Sequence, residues 1–428
     1  MKTDFRRHEA CARTSPDQAP DPGVMILCAQ LAALSLVRRL GQAGIPAGCA
    51  DTRPDAPASD SRYCRQTVLL PENPDGWLDR LRRAAAEGRL GERPVLLATS
   101  DETLLWMSHH REDLAAGYRL LLPPRELLQR LVDKRRLYEL AAAHQVPTPR
   151  SLPVGNLDEL SRAAASLGFP CLLKSAYSKP GGRDPALGKV LVRNAGELES
   201  AYARMEGLDR RLLLQEYIPG DCRQVLLYNA YFGADGQPVA IFTGRKRRQY
   251  PPEFGTASLT ETCPLPGLAM QMTRFFEQLG FIGPVDCGLK FDARRGEALL
   301  LDVNPRLGQN YRAWLGRDDV DLGWLAYREA AGTAWPAYFS PLAAMRERLW
   351  VIEDNDWRSR RRLRKQGAPQ AMTRLADYAG VRGTAYWNWR DPRPAWRKLC
   401  QLWQQRRQET SWPREVAHAD SKFILPQR

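Results

Sequence analysis

Residues 298–308 read ALLLDVNPRLG, an apolar run that leads directly into an acid, an amide and an arginine. The run predicts a buried strand whose polar residues lie at its carboxyl end. Residues 283–292, GPVDCGLKFD, precede it and are joined to it by the four-residue turn ARRG. Two strand patterns joined by so short a turn predict a β-hairpin with polar residues along one face.

The polar face of this hairpin predicts a cation site. Alternation along a strand places Asp286, Gly288 and Lys290 on one face of the first strand, and Asp302 and Asn304 on one face of the second. An acid and an amide side by side suit a hard cation such as Mg²⁺. The alternative is an Asn-Pro turn in which Asp302 is an ordinary polar strand end.

Three cationic residues add a second signal. Arg306, just past the strand, is a candidate donor to phosphate or carboxylate oxygens. Lys134 opens a helix in VDKRR, and Lys174 ends the strand CLLK ahead of the Gly-rich stretch SKPGGRDPALG. A lysine beside such a loop is a common way to hold phosphates, although either lysine alone is more commonly a surface residue.

Residues 212–221, LLLQEYIPGD, predict a strand that ends in a Pro-Gly turn. A strand edge of this kind can offer backbone N–H and C=O groups to a purine, with an acid nearby for the exocyclic amine or the ribose. Taken alone, the segment is also compatible with an ordinary strand followed by a turn.

The order of the motifs DK, FPCLLK, QEYIPGD and DVNPR resembles the ATP-grasp superfamily over residues 23–330. The stretches FTGRKRRQYPPEFGTAS and LLLDVNPRLGQNYRAW resemble its carboxylate-amine ligase group. The resemblance implies ATP and Mg²⁺ as cofactors, with Mn²⁺ as an alternative metal. It also implies an enzyme that joins a small-molecule carboxylate to an amine through an acyl phosphate.

By position, the resemblance implies roles for individual residues. Lys134 and Lys174 would bind phosphate, and residues 175–188 would form the mobile lid. The adenine hinge and its flanks would comprise Gln215, Glu216, Tyr217, Ile218 and Asp221. Asp302 and Asn304 would bind metal, and Lys174 and Arg306 would take part in catalysis. Two departures matter: Asp302 replaces the commoner Glu, and Gly288 stands where the first metal carboxylate is expected. Asp286 is the predicted substitute, reached by a shift of about 6–7 Å along the strand. A catalytically impaired ATP-binding or sensor protein is the alternative.

The basic stretch GRKRRQYPPEFG, residues 244–255, offers candidate substrate contacts. Arg245 or Lys246 together with Arg248 could bind an acceptor carboxylate or the triphosphate, and Arg312 is a further candidate. A solvated basic strand edge is the alternative.

The domain organisation is predicted from the order of strand and helix patterns along the chain. A βαβ unit with a parallel sheet is predicted from the strand pattern GVMILCA, a helical segment and the strand pattern IPAGCAD. A further strand is predicted at RPVLLAT. After it, Ser100 or Asp101 either caps a helix or lies at a ligand site. We predict an α/β plus α+β chain with the ATP-grasp fold: a disordered leader (1–22), a Rossmann-like pre-ATP-grasp domain (23–124), an ATP-grasp domain (125–330) and a basic, Trp-rich helical C-terminal extension (331–428). Within the ATP-grasp domain, a small lid subdomain covers about 130–215 and a large subdomain about 216–330.

Composition limits the classes of function. The 428 residues carry a formal charge of +14, of which residues 341–428 contribute an excess of ten, with 19 Lys/Arg against 9 Asp/Glu. The nine cysteines show no CxxC pair or metal spacing, so reduced thiols are expected. With neither a membrane-spanning run nor a secretory signal, we expect a cytoplasmic protein. No motif for nucleic-acid binding accompanies the charge.

The segment PAWRKLCQLWQQRRQ, residues 394–408, predicts a helix with Trp396, Leu399, Cys400 and Trp403 on one stripe. One interpretation is that the stripe docks on the body of the protein. The other is that it contacts an anionic membrane surface, because basic faces with Trp favour that interface. A homodimer is also left open, since dimers are common among similar enzymes.

Overall fold

The computed structural model describes residues 21–176, 188–206, 212–316, 319–333, 345–367 and 378–411. Most of the predicted leader and of the predicted lid loop lies outside these residues. The described chain is a mixed α/β protein with three sheets of four, seven and four strands. Among the described helices, none is both long and apolar enough to cross a membrane.

The first sheet is parallel, and its strands are short apolar runs that helices cover. Its order is β3-β2-β1-β4, with β1 Val24–Leu27, β2 Ala47–Asp51, β3 Cys64–Leu69 and β4 Val95–Ala98. The accompanying helices are α1 Leu31–Gln42, α2 Trp77–Ala86, α3 Asp101–His109 and α4 Arg111–Ala115. The βαβ prediction is confirmed, but β3 was not predicted, because this edge strand buries Gln66 alone and shows no apolar run.

Two helices lead from this sheet to the next, α5 Arg125–Val132 and α6 Lys134–Ala143. The second sheet is antiparallel with the order β5-β8-β6-β7: β5 Ser151–Val154, β6 Cys171–Ser175, β7 Lys189–Val192 and β8 Leu212–Glu216. Helices α7 Leu157–Leu167 and α8 Ala195–Glu206 cover it. Leucines from the strands and alanines from the helices form its core, and this packing positions the strand end at Lys174.

The third sheet has seven strands in the order β13-β12-β9-β10-β11-β14-β15. They are β9 Val225–Phe232, β10 Pro238–Tyr250, β11 Thr256–Thr262, β12 Gly283–Asp292, β13 Glu297–Asn304, β14 Leu349–Val351 and β15 Val381–Thr384. Helix α9 Pro266–Gln278 packs on one face, while α1 and α10 Leu322–Ala331 pack on the other. The predicted hairpin is therefore the β12-β13 edge of the largest sheet.

The C-terminal segment is only partly helical. Besides α11 Glu353–Lys365 and α12 Arg393–Ser411 it contributes β14 and β15, which complete the large sheet. These strands have three and four residues, too few to show a periodic pattern. Arg38 of α1 ties the segment to the first sheet, because its guanidinium binds buried Asp391 and the carbonyls of Ala385 and Tyr386.

The interpretation that the aromatic stripe of α12 docks on the body of the protein is wrong. Trp396 is 70% exposed and Trp403 56% exposed, so the aromatic stripe faces outward. The helix is held instead by its basic residues, since Arg397 pairs with Asp60, and the Lys398 Nζ lies 2.9 Å from an Asp354 carboxylate oxygen. Ion pairs rather than apolar burial decide which face of α12 meets the body.

Candidate functional site

The hairpin register brings the predicted polar residues together. Asp286 pairs with Asn304 across β12 and β13, and Gly288 pairs with Asp302. These positions share the sheet face that α1 and α10 cover elsewhere, and on β9 the same face carries Asn229 opposite Asp286. Two carboxylates and two amides thus converge at the β13 edge of the sheet.

Gly288 is required by the position of Asp302. A Cβ atom at residue 288 would lie 2.6 Å from the Asp302 Oδ1, so only a glycine leaves this carboxylate its place. Asp286 lies one pair further along the strand, where a Cβ at Gly308 would be 2.4 Å from its Oδ2. Two glycines therefore make room for two carboxylates on one sheet face.

The electrostatics of this corner fit a hard cation. Burial raises the pKa of Asp286 to about 6, with Asp302 adding to the rise and Arg306 opposing it. Buried Asn229, opposite Asp286 on β9, counteracts part of this rise through its side chain. The Asn304 Nδ2 donates to the Asp286 carbonyl at 3.2 Å, leaving the Asn304 Oδ1 on the Arg306 side.

No group of three or more His, Cys, Asp or Glu side chains among the described residues is spaced to hold a metal. A cation at this corner would therefore rely on the carboxylates of Asp286 and Asp302 and on neighbouring amide oxygens. Such an all-oxygen set is the kind that Mg²⁺ accepts when phosphates and water complete its shell. Asp302, Asp286 and Asn304 would be the residues that hold it.

Lys174 is buried at the end of β6, so the surface alternative is wrong for this residue. It is 3% exposed, and its Nζ donates to the Tyr138 Oη at 2.8 Å and to the Gln215 Oε1 at 3.1 Å. Burial lowers its pKa well below the usual range, and the nearby charges of Lys134 and Lys189 lower it further. An anion bound here would therefore favour the charged form of Lys174.

Tyr138 links the second sheet to the corner that contains Asp286 and Asp302. Its hydroxyl accepts from the Gln215 Nε2 at 3.1 Å and donates to the carbonyl of Leu301 at 2.9 Å, next to Asp302. We did not predict this role, although the signal was present, because Tyr138 stands four residues after Lys134 and shares its helix face.

Two further lysines face the same space. Lys134 is 4% exposed at the start of α6, and burial together with Lys189 lowers its pKa to about 8. Burial likewise lowers the pKa of Lys246 to about 8, against the opposing effect of Asp302. Lys189, which we did not predict as a site residue, pairs with Lys174 across β6 and β7 and lies within electrostatic reach of all three lysines.

The predicted hinge lies where β8 ends. The Glu216 carboxylate is already engaged, since it accepts from Arg295 at 2.8 and 2.7 Å and from the backbone N–H of Arg150 at 2.8 Å. Burial raises the pKa of Glu216, but the hydrogen bond from Arg295 outweighs it and the net pKa is lowered. A ligand at the hinge would therefore meet backbone atoms of 216–218 rather than the Glu216 side chain.

The turn after the hinge is held by Lys290, whose Nζ donates to the carbonyls of Gly220 and Asp221 at 2.9 and 2.7 Å. The Asp221 carboxylate accepts from the backbone N–H and the guanidinium of Arg223. Ile218 is buried beneath this turn, and Tyr217 is half-buried. Asp221, the acid considered for the ribose, is thus already paired with Arg223 within the protein.

Arg306 joins the first sheet to the third. Its Nε donates to the Asp101 Oδ1 at 2.7 Å, and its Nη2 donates to the Asn304 Oδ1 at 3.0 Å. Ser100 caps α3 through the N–H of Thr103, as predicted, whereas Asp101 reaches the hairpin. The carboxyl end of β4 therefore contributes to the site, and sequence reasoning did not pair these residues, which are 205 positions apart.

The candidate substrate residues are divided by a bulge in β10 between Lys246 and Arg248. Arg245 and Arg247 both bind Glu261 on the opposite face, at 2.6 and 3.1 Å. Lys246 alone faces the lysine cluster, with its Nζ donating to the Gly255 carbonyl at 2.9 Å.

Arg248 and Arg312 lie outside the cleft formed by the lysines and the hairpin. Arg248 forms a buried ion pair with Asp356 of α11 at 2.7 Å, because the bulge shifts the alternation of β10. Arg312 pairs with buried Asp321, the N-cap of α10, beyond Trp314. The predicted alternation was regular, and a bulge breaks it.

Comparison with models of known protein families gives no match. The chain is 24% identical over 233 residues to the D-aspartate ligase of Enterococcus faecium (strain Aus0004), covering 50% of this chain and 54% of that protein. It is 26% identical over 259 residues to the formate-dependent phosphoribosylglycinamide formyltransferase of Saccharolobus solfataricus, covering 55% and 61%. The chain therefore spans about half to three fifths of the length of these curated relatives.

The fold is also similar to that of a solved structure, N5-carboxyaminoimidazole synthetase from Staphylococcus aureus complexed with ADP. The TM-score is 0.58 at 14% sequence identity, and the similarity covers 74% of this chain and 78% of the other. At that identity the likeness concerns the fold alone.

Proposed function

We propose that this chain, an ATP-grasp protein that resembles the carboxylate-amine ligase group, is an ATP-dependent ligase that joins a carboxylate to an amine. The reaction would proceed through an acyl phosphate and release ADP and phosphate. One observation carries the proposal: Lys134, Lys174 and Lys246 all have lowered pKa values and all lie within electrostatic reach of Asp302. Such an arrangement is suited to a polyanion bound together with a metal.

The residues divide the chemistry between them. Lys134, Lys174 and Lys246 place positive charge beside the triphosphate and neutralise it, because a nearby anion favours the charged form of a lysine. Arg306, oriented by Asp101, offers its guanidinium to the transferred phosphoryl group and then to the acyl phosphate. Mg²⁺, when bound by Asp302, Asp286 and Asn304, supplies additional charge for the phosphates.

Substrate positioning completes the reaction. The adenine would lie against the backbone of 216–218, with Gln215 holding the Lys174 side chain in place. The carboxylate substrate attacks the γ-phosphate, and the amine then displaces phosphate from the acyl phosphate. Lys246 is the candidate contact for the carboxylate, because it alone of the basic stretch faces the cleft.

The same proposal covers the architecture and the partners. Residues 23–124 would be a Rossmann-like pre-ATP-grasp domain, residues 125–330 the ATP-grasp domain with its lid, and 331–428 a basic, Trp-rich extension. The partners would be a small-molecule carboxylate and amine in the cytoplasm, with ATP and Mg²⁺ as cofactors and the chain acting alone or as a homodimer.

Phosphate release by the purified protein tests the function. With ATP, Mg²⁺ and pools of carboxylates and amines, we expect sustained release that depends on an added carboxylate and amine. Asp302→Asn should abolish it, because the substitution removes a charge at the phosphates. Tight ATP binding without turnover for any pool would support a sensor protein instead. Full activity of the Asp302→Asn variant would overturn the site.

Contact with an anionic membrane surface is a further part of the proposal, and the outward stripe of α12 supports it. Trp396, Leu399 and Trp403 are all more than half exposed, in a segment with an excess of positive charge. The full chain should co-sediment with anionic vesicles but not with neutral ones. The double variant Trp396→Ala/Trp403→Ala should lose this binding, and equal sedimentation of both proteins would exclude the contact.

A further inference from the structure

A second basic site lies at the other end of the large sheet. A cavity of about 730 Å³ opens there between the C-terminal end of α1, the loop after β13 and the strands β14 and β15. Five arginines line it: Arg39, Arg312, Arg346, Arg348 and Arg382. The acids in its wall are Asp319 and Glu347, so the lining carries a clear excess of positive charge.

The arginine charges are only partly neutralised. Arg39 and Arg312 share one carboxylate, that of buried Asp321, and Arg346 pairs with Asp319 at 2.9 Å. No acid in the described part of the chain lies within ion-pair distance of Arg348 or Arg382.

The guanidinium of Arg348 lines the cavity and is only partly engaged by the protein. Its Nη2 donates to the carbonyl of Arg382 at 3.1 Å, but its Nε is buried and has no hydrogen-bond partner within the described residues. Burial lowers the pKa of Arg348 to about 10, and the charges of Arg312 and Arg346 contribute. The side chain stays protonated at neutral pH, so an uncompensated charge persists beside the cavity.

The cavity is separate from the carboxylates of the β12-β13 hairpin. Asp302, Gly288, Leu227, Gly244 and Thr262 form one row across the sheet, and the Arg348 N–H donates to the Thr262 hydroxyl at 2.7 Å. Five strand spacings therefore separate β13 from β14, roughly 24 Å in a flat sheet.

A buried aromatic side chain stands between the two ends. Trp314 is 1% exposed and packs directly on Gly244, where a Cβ would lie 2.9 Å from its ring. An anion in the arginine cavity is thus beyond reach of a phosphoryl transfer at Asp302.

We propose that the arginine cavity binds a small molecule with two or more negative charges, at a second site distinct from the nucleotide site. Guanidinium groups bind phosphate and carboxylate oxygens in paired hydrogen bonds, so a phosphate ester and a di- or tricarboxylate share the chemistry required. The ligand would contact α1, the loop after β13 and β14 together, so that its binding stabilises the association of three separate parts of the chain.

Isothermal titration of the full chain tests the site with two probes, pyrophosphate and citrate, at constant ionic strength and with the nucleotide site saturated by a non-hydrolysable ATP analogue. Saturable binding of pyrophosphate alone identifies a phosphate ligand, and binding of citrate alone a carboxylate. Arg348→Gln should weaken binding about tenfold or more, since a hydrogen bond to a charged group contributes at least that much.

Two control variants keep the test independent of folding. Arg346→Gln/Arg382→Gln changes exposed arginines of the cavity and should also weaken binding, whereas Arg361→Gln, an exposed arginine of α11 outside the cavity, should not. Absence of saturable binding by the unmodified chain would overturn the proposal. So would an equal loss in the Arg361→Gln variant, which would indicate non-specific attraction to a basic surface. Activity of the ligase is not the readout, so the two proposals can fail separately.

Discussion

Two basic clusters lie along the large sheet, one towards the β12-β13 hairpin and one at β14, and they differ in their residue type. At the β13 end the cations are lysines, and burial lowers the pKa values of Lys134 and Lys246 to about 8. At the β14 end they are arginines, and Arg348 keeps its proton with a pKa of about 10. Burial makes the charge of these lysines sensitive to a bound anion, which favours their charged form, whereas arginine presents a constant charge. A site that binds and releases a triphosphate in each cycle uses the first, and a site for a stably charged ligand uses the second.

The largest effect is expected at the centre of the lysine cluster. Lys174→Ala should reduce turnover by about 100- to 1,000-fold, because a preorganised donor to developing charge is lost in a buried site. Steady-state phosphate release measures the effect, with Lys365→Ala on the exposed surface of α11 as the matched control. If both variants keep the activity of the unmodified chain, the lysine cluster is not the catalytic centre.

Replacing Lys134 should show by how much the burial of its charge lowers the free energy of unfolding. Its pKa is about 8 in the folded chain, about 2.5 units below the unfolded value, which corresponds to a penalty of roughly 3 kcal/mol at neutral pH. Lys134→Met should therefore increase the free energy of unfolding at pH 7 while weakening ATP binding. Urea unfolding measures the first effect and titration calorimetry the second.

The pH dependence has a definite sign for this residue. Between about pH 8 and 10.5 the unfolded chain holds one more proton at Lys134 than the folded chain, so this group makes the free energy of unfolding rise with pH. In Lys134→Met that rise should be smaller, whereas Lys365→Met, at an exposed position on α11, should leave it unchanged. The same rise in the Lys134→Met variant would show that Lys134 has an ordinary pKa in the folded state.

A smaller effect is expected at Gly288. Gly288→Ala would bring a Cβ to 2.6 Å from the Asp302 Oδ1 and displace the carboxylate. We expect activity at limiting Mg²⁺ to fall about 10- to 100-fold, with partial recovery at high Mg²⁺. Gly267→Ala in α9, where a Cβ meets no atom within 4 Å, is the control. An unchanged Mg²⁺ dependence would remove Asp302 from the metal site.

Local patterns predicted most of the hairpin and the lysines. The alternation of β12 and β13 was sufficient to group Asp286 with Gly288 and Asp302 with Asn304, each pair on one face of its strand. The cross-strand pairing of Asp286 with Asn304 and of Gly288 with Asp302 depends on a register shift next to Gly288, which the turn and the strand period do not predict. The alternation of β10 failed at the bulge before Arg248, and β11 showed no separate signal. Bulges depend on neighbouring strands, so a single strand does not reveal them.

By itself, the sequence determined the chemical character of the protein: which side chains are available, the strand and helix periods that carry them, and the order of motifs that resembles a ligase. Only the tertiary structure decided how they combine. The pairing of Arg306 with Asp101, the Tyr138 hydroxyl between Lys174 and Leu301, and the outward face of α12 join residues that are far apart in the chain. Such contacts depend on how whole sheets pack, and local periodicity contains no information about that packing.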